Sequence, residues 1–153
     1  MIPESKIFQC VVIAPSGKQL DCKTTSVIFP AYDGQVGIWH NHMPMLCELG
    51  LGIMEVKSIV SEEDELQENI FLVIDGGFAL VCSNLLKVVA YDAVCPRYMK
   101  LERIEHMLEK IQKKLAGKAY AAQERMHHIN KAALLEKLIQ MHKTAASPAG
   151  SPE

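Results

Sequence analysis

Residues 70–82 read Ile-Phe-Leu-Val-Ile-Asp-Gly-Gly-Phe-Ala-Leu-Val-Cys, two apolar runs on either side of Asp75-Gly76-Gly77. A polar turn former followed by glycine between such runs is a strong hairpin signal, because the turn needs positive φ. The spacing therefore predicts strands over Ile70–Ile74 and Phe78–Cys82. Downstream, Ser83-Asn84 turns the chain into a third strand, Leu85–Tyr91. The same grammar runs upstream. Ile7–Ala14 ends at Pro15-Ser16-Gly17, Gln19–Lys23 alternates, and Ser26–Phe29 stops at Pro30. Val36–Ile38, Met45–Leu49 and Gly52–Lys57 follow. Seven to ten short strands with no helix-length segment between them predict an antiparallel sandwich or barrel, taken here as a β-sandwich of about ten strands over residues 1–94. The acidic insert Ser61–Glu65 reads as an exposed hairpin tip.

The period changes after residue 95. Leu101, Ile104, Leu108, Ile111 and Leu115 fall at spacings of three and four, the stripe of a helix that packs on another helix. Lys113, Lys114 and Gly117 supply the basic last turn and permissive residue of a helix end. A second helix is expected from about Ala119 to His142, with Ala121, Ala122, Met126, Ile129, Ala132 and Ala133 leading to Leu134, Leu135, Leu138, Ile139 and Met141. The expected architecture is thus α+β: a sandwich, an antiparallel helical hairpin over 95–143, and a flexible tail over 144–153. A seam this rich in alanine buries little area, which leaves open a permanent cap on the sandwich or a pair able to undock; the cap is the plainer reading.

The 153-residue chain is 49% hydrophobic and 22% charged, with a mean hydropathy of +0.08. That composition excludes a disordered or collagen-like chain, and no apolar run reaches the length of a membrane span. The opening Met-Ile-Pro-Glu-Ser-Lys is too polar for a secretory signal. The net charge of −2 hides a division. Residues 1–96 carry five basic and twelve acidic side chains, whereas residues 97–143 carry eleven basic and five acidic. Two parts with different partners are expected.

Catalytic and metal chemistry find little support. Cys10, Cys22, Cys47, Cys82 and Cys95 lack the close spacing of a zinc knuckle and read as reduced, largely buried thiols. His40-x-His42 with Cys47 offers metal donors, but Asn41 and the nearby prolines place it in a loop. His127-His128 are adjacent on a helix and make a poor chelate. The basic run Lys110, Lys113, Lys114 and Lys118 has no interleaved aromatics, so a solvated face or an acidic protein partner fits better than nucleic acid.

Gly34-Gln35-Val36-Gly37-Ile38-Trp39-His40-Asn41-His42-Met43-Pro44-Met45-Leu46 resembles the segment G-x-x-G-I-x-x-x-H-x-P-x-L of the F-type ATP synthase epsilon subunit family, called delta in mitochondria. Phe71–Val81 is similar to that family's strand–Gly-Gly–strand element, and Val88–Ala93 to its strand leading into the helices. The likeness extends over about Ile7–Lys143. It implies a non-catalytic rotor-stalk subunit whose sandwich grips the gamma shaft and rests on the ring of ion-carrying membrane subunits. The helical hairpin would lie folded or extend along gamma into the alpha/beta hexamer and block hydrolysis. The implied place is the cytoplasmic side of the bacterial plasma membrane, with membrane contact only through the complex.

The resemblance assigns the gamma and ring contact to Asp33, Gly34, Gln35, Gly37, His42 and Pro44. The exposed side chains expected beside them, Tyr32, Trp39, His42 and Met43, would add adaptable contact area. Gln35 stands where relatives often have an acid. On the helices, Arg103, Lys110, Lys113, Lys114 and Arg125 supply the positive charge that would meet an acidic hexamer surface. Bacterial relatives that bind ATP carry a hydrophobic residue, Asp, two residues, then Arg-Ala at the start of the first helix. Here Met99–Ile104 keeps Arg103 but has Lys100 for the acid and Ile104 for the alanine. Weak ATP binding or none is expected, with no other cofactor and no metal. A free-standing sandwich module with a helical lid is the alternative, and it would require a deep apolar cavity.

Overall fold

The computed structural model describes residues 2–61, 63–117 and 119–146, and the chain divides into two compact units, Met1–Cys95 and Pro96–Glu153. Among the described residues the first unit holds a 3₁₀ turn at Glu4–Lys6 and seven strands. These are β1 (Phe8–Ala14), β2 (Gly17–Ala31), β3 (Gly34–Trp39), β4 (Met45–Ser61), β5 (Leu66–Cys82), β6 (Leu85–Ala90) and β7 (Ala93–Val94). Hydrogen bonding runs β1-β6-β5-β4-β2, and β2 pairs back to β1, so the sandwich closes on itself like a barrel. Closure leaves fewer open edges to blunt.

Seven strands is the low end of the expected seven to ten, several of them are longer than expected, and the reason is local. Gln19–Lys23 and Ser26–Phe29 are two halves of β2: residues up to Thr24 pair β1, and residues beyond pair β3 and β4. The strand changes layer at Thr24, which is wholly buried. Its hydroxyl lies 2.7 Å from the Lys57 carbonyl and 2.9 Å from the Ser26 carbonyl, and the Ser26 N–H donates to it at 3.2 Å. One short polar side chain thus satisfies backbone groups that the irregular register would strand. Pro30 does not stop β2, which continues to Ala31. Gly52 makes room for it; a Cβ at Gly52 would lie 2.6 Å from the proline ring.

Asp75-Gly76-Gly77 is not a hairpin turn. β5 runs straight through it, and β4 follows alongside, with Leu51 opposite Asp75 and Leu49 opposite Gly77. Gly76 at φ 70° and Gly77 at φ 122° spend their freedom on a corner instead. Both halves of β5 find partners there, β7 at Val73–Ile74 and β6 from Gly77 onward, so a tight reversal has nothing to gain. The pairing is also not purely antiparallel, since β1 and β6 run parallel from Gln9–Leu85 to Ile13–Val89. These strands are far apart in sequence, so no hairpin dictates their direction.

Phe8, Cys10, Val12 and Ala14 of β1 and Leu86, Val88 and Ala90 of β6, every second residue, are buried, so one face of each strand fills the interior. Leu20, Phe29, Ile38, Met54, Leu72, Ile74 and Leu86 are among its fully buried side chains. Ser83 and Asn84, at φ 51° and 58°, form the expected turn into β6. The acidic tip between β4 and β5 turns at Glu63–Glu65, all exposed; Glu62 lies outside the described residues.

In the second unit α1 spans Leu101–Gly117 and α2 spans Ala122–Ala146. The second helix starts three residues later than expected, and its end takes in Thr144–Ala146, the first residues assigned to a tail. The remainder of that tail, 147–153, lies outside the described residues. Gln112 Nε2 donates to Glu136 at 3.3 Å and Lys143 Nζ meets Glu105 at 3.4 Å, contacts that only antiparallel helices can make. Among the described residues the most fully buried side chains are Ile104 on α1 and Ala132, Leu135, Leu138 and Ile139 on α2. Met126 and Ile129, expected on the inner face, are exposed.

Candidate partner-binding surface

The two halves of the expected contact loop sit at opposite ends of β3. Tyr32 and Asp33 form the β2–β3 turn and Gly34 and Gln35 open β3; all four are exposed, with Gly34 at φ 145°. His42, Met43 and Pro44 lie in the loop after Trp39. At about 3.3 Å per residue a six-residue strand keeps these groups roughly 17–20 Å apart. They form two separate groups rather than one continuous loop. Met43 is exposed, while His42 is half-buried and its Nδ1 lies 2.7 Å from the Met43 carbonyl.

Two residues fix the second group. Asn41 adopts φ 58°, a left-handed conformation that asparagine tolerates well. Its N–H donates to Asn84 Oδ1 at 2.7 Å, and Asn84 Nδ2 donates to Asn41 Oδ1 at 3.1 Å. This reciprocal pair pins the loop onto the β5–β6 turn. Asn84→Ala removes both bonds and places alanine at positive φ, so a loss of about 1–2 kcal/mol is expected in chemical denaturation. Asn84→Gly, which relieves the backbone term alone, should recover part of that loss.

Gly37, mid-strand, has a packing role. A Cβ there would lie 2.7 Å from the Trp39 ring, so the glycine lets the exposed indole fold back across the strand. Trp39, Lys6, Lys57, Glu65 and Gln67 help line an external groove of about 750 Å³ beside the N-terminal segment. Its charged walls are unlike the deep apolar chamber that a lidded binding module needs.

An apolar face on the outer side of β4, β5 and β6 is not visible from the sequence. Register places Leu46, Leu80 and Lys87 in one row and Glu48, Phe78 and Val89 in the next. Phe78 is 45% exposed, Leu80 48%, Val89 49%, Tyr91 67% and Leu46 69%. The Phe78 and Tyr91 rings meet edge to face at 6.5 Å. Tyr91 also lies against Gly76, where a Cβ would come within 2.8 Å of its ring, so the glycine corner seats the aromatic at the margin of the face. The clamped loop leads straight into Leu46. Alternating apolar residues in β5 and β6 foreshadow two-sided hydrophobicity, but only the register shows that the outer set lines up.

On the hairpin, Arg103, Lys110, Lys113, Lys114 and Arg125 are all exposed. Lys113 pairs with Glu109 at 3.1 Å within α1. Among the described residues no helix is long and apolar enough to cross a membrane, and no group of three or more His, Cys, Asp or Glu side chains could hold a metal ion.

A filled strand barrel with greasy residues on its outer sheet face, followed by a charged helical hairpin, has the features of a protein-binding module. The family model for the beta-sandwich domain of the ATP synthase delta/epsilon chain matches residues 7–96, and the chain belongs to that family. It is 30% identical to the ATP synthase epsilon chain of Latilactobacillus sakei over 105 residues, 69% of this chain and 70% of that one. Identity to the epsilon chain of Rhodopirellula baltica is 29% over 87 residues, covering 57% of this chain and 62% of the relative. In fold it is similar to a chain of the Euglena gracilis mitochondrial ATP synthase OSCP/F1/c-ring structure, with a TM-score of 0.55 at 19% identity, over 96% of this chain and 84% of the other. A chain of the Tetrahymena thermophila central stalk and c-ring gives a TM-score of 0.57 at 11% identity.

Proposed function

We propose that this chain is the central-stalk coupling subunit of a rotary ATP synthase, a non-catalytic rotor component whose barrel binds the gamma shaft and the ion-carrying ring. The observation that carries the reading is the outer face of Leu46, Phe78, Leu80, Val89 and Tyr91, apolar and exposed over a filled core. Monomeric proteins rarely leave such a face open unless a partner covers it. The Tyr32–Gln35 turn and the His42–Pro44 loop, at opposite ends of β3, would serve separate contacts: one to the shaft, one to the ring. The subunit would sit on the cytoplasmic side of the bacterial plasma membrane, held there by the complex.

The hairpin is the regulatory half in this reading. Eleven basic side chains against five acidic ones over residues 97–143 suit an acidic surface on the alpha/beta hexamer. Its few buried side chains favour a pair that can leave its resting place. Arg103 acts here by charge rather than as an ATP ligand, since Lys100 offers no acceptor. Deleting residues 97–153 should raise ATP hydrolysis by the assembled complex several-fold while leaving assembly intact, measured by a coupled ATPase assay on the purified complex. Unchanged hydrolysis would mean that the helices are only a cap.

A further inference from the structure

Cys10 and Cys22 are direct partners in the β1–β2 ladder. Register is unbroken from Phe8–Thr24 to Val12–Leu20, so the cysteine pair stands in its regular part. Opposed residues on antiparallel strands point to the same face, with Cα atoms about 4.5 or 5.5 Å apart depending on the type of pair. Both values fall inside the range that a disulfide spans without backbone movement. Cys10 is fully buried in the core, and Cys22 is half-buried against that core with part of its surface open. Among the described residues the other thiols lack this arrangement: Cys47 faces Ala79, Cys82 faces Leu85, and Cys95 is buried.

We propose that Cys10 and Cys22 form an oxidative modification site, closing into a cross-strand disulfide when the protein meets a small dialkyl disulfide. The open half of Cys22 makes it the entry point. Its thiolate attacks one sulfur of the small disulfide; the S–S bond breaks, one thiolate leaves and takes up a proton, and Cys22 carries the mixed disulfide. Cys10 then attacks the Cys22 sulfur, losing its proton, and the second small thiol departs with a proton. Two protein thiols are oxidised by two electrons, and one small disulfide is reduced to two thiols. Burial holds the Cys10 thiol well above its ordinary range, with Cys22 and Asp21 adding to the shift. Cys10 therefore stays protonated in bulk exchange and reacts as the resolving group, where its neighbour's proximity gives it a high effective concentration.

The product staples the first hairpin of a barrel whose closure depends on it, because β1 bridges β2 and β6. The test is incubation of the folded full chain with oxidised glutathione, followed by intact mass and non-reducing peptide mapping. The expected result is a loss of about 2 Da, a single linked peptide joining Cys10 to Cys22, and reversal by dithiothreitol. A variant with Cys47, Cys82 and Cys95 all changed to serine should behave identically. Cys10→Ser should halt at a stable glutathione adduct on Cys22, and Cys22→Ser should give no link. A lasting adduct on Cys22 in the unaltered chain, links through Cys47 or Cys82, or no reaction at all would overturn the proposal.

Discussion

Replacing Phe78 and Leu80 together by glutamate should abolish stable association with gamma while leaving the barrel folded. Both side chains already face water, at 45% and 48% exposure, so their removal opens no cavity in the core. In the complex they would lie near the centre of the contact, flanked by Leu46 and Val89 in the neighbouring strands. Truncating a large apolar residue at such a centre costs about 2 kcal/mol or more, and burying an unpaired carboxylate costs more still. A loss of at least roughly 1,000-fold in affinity is expected for the pair. Circular dichroism would show an unchanged fold, and size-exclusion chromatography would show the variant eluting apart from gamma. Matching changes at Tyr32 and Asp33, on the distant turn, should weaken association far less if the sheet face is the main gamma contact.

Gly77→Ala should strongly destabilise the barrel. Gly77 sits at φ 122°, where an L side chain is strained, and its missing Cβ leaves room for β6. A methyl there would fall 2.1 Å from the Val89 carbonyl oxygen and 2.7 Å from the Ala90 Cα, both backbone atoms that cannot swing aside. Strain and displacement together should cost about 3 kcal/mol or more. A drop of about 10 °C or more in the thermal midpoint of the barrel would follow. Gly34→Ala is the useful contrast. It also occupies positive φ, but open space surrounds it, so only the conformational term remains.

These two predictions mark where sequence reading succeeded and where it stopped. The division into strands and then helices was legible because hydrophobic periodicity is a local property. Leu101 to Leu115 announces α1 without any knowledge of its neighbours. The Ser83-Asn84 turn was likewise readable, since two adjacent residues at positive φ leave a local trace. Asp75-Gly76-Gly77 carries the same local trace but serves a corner, because β4 runs alongside both halves of β5, with β7 before the corner and β6 after it on the other edge. No single-strand pattern contains that information. The contact surface failed to appear for the same reason. Leu46, Phe78 and Val89 come from three strands, and only pairing register turns scattered outward residues into one face. Conversely, residues of one loop motif, such as Asp33 and His42, are held apart by β3 between them.

In a rotary synthase the barrel would be one half of a rotor foot, with gamma as the other. Co-expression of this chain with its cognate gamma subunit, followed by affinity capture of one and quantification of the other, tests that most directly. The expected result is an equimolar pair that survives gel filtration. The pair should also persist when residues 97–153 are removed, because the binding face lies entirely within the barrel. Capture of this chain alone, with gamma recovered only in the unbound fraction, would contradict that role.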